Sequence, residues 1–168
     1  MKKNHFIASI VTLALLLASA LAFAGDQATT NLTINATVNA RAKLTLSTNT
    51  ISFPDADPDT TPSISAAENG VSVTAKVRTG SSSSATLTHQ AAGNLASGSI
   101  SIPISNVTWT ATGSGFSSGT MNSSAAQTVG SWTGSGTQSG TLNFALANSW
   151  AYATGTYTVS STFTLTAP

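Results

Sequence analysis

Residues 31–47, NLTINATVNARAKLTLS, alternate without a break. Every even position is apolar, from Leu32 to Leu46, and every odd position is polar, from Asn31 to Ser47. Period two marks extended chain with one face buried. At about 3.3 Å per residue the run would reach roughly 55 Å, against about 20 Å for a common strand. Either the chain breaks into two strands near Asn39 to Arg41, or the first half of the run leaves its own domain.

The run begins soon after a secretory pattern. Lys2 and Lys3 form a positive start, Phe6 to Leu17 is almost wholly apolar, and Ala22-Phe23-Ala24 has small residues where a signal peptidase reads. Residues 1–24 are expected to be a signal peptide, cleaved before Gly25; the apolar core is shorter than the ~20 residues of a membrane span. The remainder has the length of one domain. Its basic residues are Arg41, Lys43, Lys76 and Arg78, against Asp26, Asp55, Asp57, Asp59 and Glu68. That near-neutral balance gives nucleic-acid binding no electrostatic support.

There is no cysteine, so an exported domain of this kind must be held by its core or by assembly with other chains. Charged residues are 7% of the sequence, against about 25% in an ordinary soluble domain. A nearly uncharged, Thr-rich β surface suits a protein that packs against copies of itself.

Further along, Asn49 to Phe53 reads as a short strand and Pro54 to Pro62 as a loop, its three prolines disfavouring helix and sheet. Residues 71–78 alternate, Gly80 to Ser84 turn, and Ala85 to His89 form a second strand, so 71–89 reads as a hairpin. Ile100 to Ile104 alternate around Pro103, which suggests an edge strand or a bulge. Val107, Trp109 and Ala111 follow on another strand. Residues 113–125 and Gly134 to Gly140 are rich in Gly and Ser and read as loops, with a short strand at Val129 and Trp132 between them. Leu142, Phe144 and Leu146 mark one more strand and Thr156 to Thr166 the last. Short strands at intervals of about ten residues predict an all-β fold, an Ig-like antiparallel β-sandwich. Tyr157 in Gly155-Thr156-Tyr157 is placed like the corner tyrosine of such sandwiches, whose hydroxyl bonds back to the chain.

The chemistry-bearing residues are few. His89 is the one histidine after the leader and shares strand parity with Ala85 and Leu87; it is expected at the rim of the core. No GxSxG nucleophile elbow is present, and the ligands of a zinc site are missing. An enzyme is not expected, and neither is a cofactor or a bound metal. Asp55, Asp57 and Asp59 are spaced like the start of a calcium loop, but the sixth and twelfth positions hold Thr60 and Ala66 in place of Gly and Glu. A solvated acidic loop is the expectation, with weak calcium binding as its alternative. Trp109 and Tyr157 lie in strand patterns and are expected in the core. Trp132 and Trp150 lie beside loops and are the candidates for glycan contact by stacking on a sugar ring.

The opening run also has the form required for β-strand addition, in which backbone bonds give affinity and pockets take alternate side chains. TTNLTINATVNARAKLTL resembles the N-terminal donor segment of the class 5, colonisation-factor type fimbrial major pilins of the alternate chaperone–usher pathway. VRTGSSSSATLTH, IPISNVTWTATG and ATGTYTVSSTFTLT are similar to stretches of those pilins in order and spacing. Those pilins also lack cysteine. The TGTYT-like ending is shared by other secreted Ig-like sandwiches, including spore-coat-U type pilins. The Gly/Ser-rich residues 113–140 and the ending Thr166-Ala167-Pro168 depart from the pattern.

The resemblance implies a structural subunit of a bacterial surface fimbria, supporting adhesion. Residues 25–39 would be an N-terminal extension carrying the donor strand, and residues 40–168 a sandwich completed by a donor strand from a neighbour. Leu32, Ile34, Ala36 and Val38 would enter an acceptor groove lined by Val159, Phe163 and Leu165. The partners would be copies of the chain itself, a periplasmic chaperone and an outer-membrane usher, with export through the periplasm to the cell surface. The alternative is a self-contained secreted binding module for polysaccharide or another cell-surface ligand, marked by exposed, coplanar Trp132 and Trp150.

Overall fold

The structure, a computed structural model, describes residues 25–168. The expected signal peptide, residues 1–24, lies outside the described residues. Two units separate along the chain, one ending at Ala36 and one running from Thr37 to Pro168. In the first, residues 25–36 belong to no strand and are exposed. The second is an antiparallel β-sandwich.

The alternating run becomes a strand only in its last part, β1 (Arg41–Leu46). The larger sheet is ordered β1, β3 (Val71–Arg78), β10 (Gly136–Ala147), β7 (Val107–Thr112) and β8 (Gly119–Thr120), with β2 (Ser63–Ser65) paired to the far part of β10. The smaller sheet is β11 (Ser161–Thr166), β4 (Ser84–Ala91) and β9 (Gln127–Thr133). β5 (Leu95–Ser97) and β6 (Ile100–Ile102) form a separate hairpin. Alternation does what it must: Val71, Val73, Ala75 and Val77 are buried while Ser72, Lys76 and Arg78 face out. Both sheets feed one core, centred on Trp109, Leu142 and Val73 from the larger and Leu87 and Val129 from the smaller.

Several expectations need correction. β3 and β4 do not pair as a hairpin; the Gly80 to Ser83 turn carries the chain from one sheet to the other. Asn49 to Phe53 forms no strand, although Ile51 and Phe53 pack on the core. The last strand is confined to Ser161–Thr166. Gly136 to Gly140, expected as loop, is the first part of β10, bonded in register to β3.

The Gly/Ser-rich middle is a packing device. Residues 113–120 cross between the sheets: Ser131 N–H donates to Gly115 O and Ser117 N–H to Val129 O, while Gly119 and Thr120 pair with β7. The crossing closes the β8–β9 side of the sandwich. Trp132 packs against Gly130, where an added Cβ would come within 2.5 Å of the indole. Its Nε1–H donates to Ser114 O at 2.8 Å, and Phe116 meets it edge-on at 5.0 Å. Small residues here admit two large rings.

Candidate functional site: an open cleft between two end strands

The other side of the sandwich is built differently. β1 ends the larger sheet and β11 ends the smaller. Each is hydrogen-bonded on one flank only, to β3 and β4 respectively, and the two approach within 8 Å over part of their length. β1 is antiparallel to β3, β11 is antiparallel to β4, and the turn at Gly80 to Ser83 reverses β3 into β4. It follows that β1 and β11 run in opposite directions.

Between them lies a cleft of about 1530 Å³. Leu44, Leu46, Ile51 and Phe53 contribute to one wall, Val159 and Phe163 to the other, and His89 and Phe144 to the floor. The wall residues are only half-buried although their parity points inward. Ala40 and Ala42, the next inward positions of the β1 run, are exposed. The cleft is thus a stretch of core without a cover, flanked by strand edges free to bond.

Past the cleft, toward the Arg41 end of β1 and the Thr166 end of β11, the Thr79 hydroxyl donates to Pro168 O and Arg78 Nε–H donates to Asn39 O at 2.8 Å. The opposite end of the cleft is walled by two loops, 54–62 and 148–158. Asn148 Nδ2–H groups donate to Ala56 O and Thr61 O at 2.9 and 3.0 Å, and Trp150 Nε1–H donates to Asp59 Oδ1 at 3.0 Å. Tyr157 forms the expected corner: its hydroxyl donates to Ala153 O at 2.6 Å.

His89 is not at the rim. It is 3% exposed and stacks on Phe163, with the edges of Trp109 and Phe144 nearby. Its Nε2 has no hydrogen-bond partner, and burial pushes its pKa down to about 4. The ring is neutral at physiological pH and serves as one of four aromatic rings around the cleft floor.

Of the residues named from the sequence, Val159 and Phe163 line the cleft. Leu165 lies further along β11, packed on the core beyond the cleft wall. Leu32 and Ile34 are 84% and 83% exposed, and Ala36 and Val38 are exposed with them. None of the four belongs to a strand. Leu44 and Leu46, also in the wall, carried the same alternation signal. Ile51, Phe53 and Phe144 had no signal that tied them to the cleft.

The glycan platform is corrected. Trp132 is buried under Phe116 and offers no face to a sugar, which leaves Trp150 alone at 71% exposure. In the acidic loop Asp57 Oδ1 accepts the Asp59 N–H and Asp59 Oδ1 accepts the Trp150 indole N–H; no cluster of three metal-ligating side chains occurs among the described residues. No family model matches the chain, and no curated protein matches it.

Proposed function

We propose that this chain is a structural subunit of a bacterial surface fimbria, polymerised by donor-strand exchange: residues 31–38 of one copy enter the β1–β11 cleft of the next. The reading rests on one observation. A single chain combines an uncovered cleft between two end strands with an exposed, alternating segment that belongs to no strand.

An inserted strand would part β1 and β11 where they lie within 8 Å, bond to both free edges and turn alternate side chains toward the core. Leu32, Ile34 and Val38 would each contribute on the order of 1.5–3 kcal/mol by burial, with Ala36 between them. Insertion into the chain's own cleft would need a tight turn at Asn39 and Ala40. Two-residue hairpin turns require positive φ at their first position. Asn69 is the one non-glycine residue with positive φ among the described residues, and Arg78 holds the Asn39 carbonyl. A neighbour's cleft is therefore the favoured destination.

On this reading the exposed segment and cleft need shielding before assembly, which gives a periplasmic chaperone its role and an outer-membrane usher the task of ordering addition. The fibre stands outside the cell and supports adhesion. Electron microscopy of producing cells tests this. A chain lacking residues 31–38 should leave cells without fibres while the sandwich still folds; fibres of normal length from that deletion would contradict the reading.

A further inference from the structure

Charge is sparse in this chain, and it is segregated. The β1–β3 register sets Arg41 opposite Arg78 and Lys43 opposite Lys76, all exposed on the outer face of the larger sheet. These four are every basic residue after Lys3. Like charges directly opposite on a sheet repel, so the pairing is unfavourable unless something negative faces it. The carboxylates lie elsewhere. Asp55, Asp57 and Asp59 sit in the 54–62 loop, and Asp55 and Asp57 line the far end of the cleft. Glu68 is engaged by Ser52, whose backbone N–H and hydroxyl hold its carboxyl below the usual range.

We propose that the Arg41, Lys43, Lys76, Arg78 face docks on the Asp55, Asp57, Asp59 loop of the next copy, and that this contact sets the direction in which residues 31–38 enter the cleft. The inference rests on the donor-strand reading above. Because β1 and β11 run oppositely, an inserted strand is parallel to one and antiparallel to the other. Running antiparallel to β11, it brings Val38 to the acidic-loop end. Only Asn39 and Ala40 separate Val38 from Arg41, a reach of about 10 Å, so Arg41 and Lys43 of the donor copy arrive beside Asp55 and Asp57 of the acceptor. Running the other way, they arrive at the end that already carries the acceptor's own Arg41 and Arg78. Opposite charge attracts along the first route, and like charge opposes the second.

The test uses two full-length variants, Arg41→Glu/Lys43→Glu and Asp55→Lys/Asp57→Lys, with assembly followed by light scattering and microscopy. All four positions are exposed, and thermal unfolding checks each fold. Each variant alone should assemble about tenfold more slowly than the parent at low salt, with the deficit shrinking in 0.5 M salt. Mixed together they should recover the parent rate, because every junction between unlike copies restores opposite charges. Parent-like assembly by each variant alone, or a deficit that mixing does not repair, would overturn the proposal. So would loss of heparin binding in Arg41→Glu/Lys43→Glu with unchanged assembly, which would assign the face to an anionic polysaccharide. If the 31–38 deletion blocks assembly while the charge variants behave as the parent, this inference alone fails. If the deletion still assembles, the donor-strand reading fails with it.

Discussion

The rings of His89 and Phe163 lie 4.0 Å apart and within 5° of parallel, one on β4 and one opposite it on β11. The pair forms the boundary between closed core and open cleft. It also couples the cleft to pH, because burial has moved His89 down from 6.5 to about 4. Between those values the unfolded chain binds a proton that the folded chain does not. Stability contributed by neutral His89 is complete above about pH 6.5 and is lost progressively as pH falls toward 4. The loss should be on the order of 3 kcal/mol. Urea unfolding at pH 7 and pH 4.5 measures it, and His89→Phe should flatten the difference. An equally steep dependence in the variant would assign it to other groups.

Phe163→Ala removes the stacked partner of His89 and one cleft wall. Phe163 is half-buried, so the cost should fall below the about 3–5 kcal/mol of a fully buried Phe, near 2 kcal/mol. Calorimetry of the monomer gives the stability change. The same variant should weaken donor-segment binding, which a change confined to the core would leave alone.

Gly130→Ala places a methyl against the Trp132 indole, with backbone behind it. Overpacking of this kind costs about 1–3 kcal/mol. A fall in denaturation midpoint, with the near-ultraviolet tryptophan signal altered, is the expected outcome. An unchanged midpoint would mean that the crossing segment is not packed as described.

Tyr157→Phe deletes the bond to Ala153 O and should cost about 1 kcal/mol. Trp150→Ala, by contrast, removes an exposed ring whose bond to Asp59 is open to solvent, and its effect on stability should be within about 0.5 kcal/mol. Equal losses in the two variants would deny the corner its structural role.

The strands that bury one face were plain in the sequence because alternation reports burial directly. Residues 71–78 and the Leu44 and Leu46 positions are examples. Alternation does not report which sheet a strand joins, and so β3 and β4 read as a hairpin although they lie in opposite sheets. Gly136 to Gly140 read as loop because its inward positions, Gly136, Gln138 and Gly140, carry no large apolar side chain. Gly140 is small because a Cβ there would meet Phe116 and the Thr112 carbonyl. Trp132 read as a surface residue for a related reason: the rings and glycines that bury it are spread across residues 113–132 and assemble only when the chain crosses between sheets. His89 had the parity of the core, and its depth depends on Phe163, about seventy residues away. The two walls of the cleft were partly visible as separate alternating runs. That they face one another across an uncovered gap follows from topology alone.

On the donor-strand reading the cleft takes residues 31–38. The chain deleted of those residues, with a synthetic peptide, NLTINATV, added to it, measures this binding. Peptide at about 100-fold its Kd should raise the thermal midpoint by about 8 °C, and a peptide with Ile34→Asp should not. No shift with the parent peptide up to millimolar concentration, on a deletion chain that unfolds cooperatively, would mean that the cleft does not take residues 31–38.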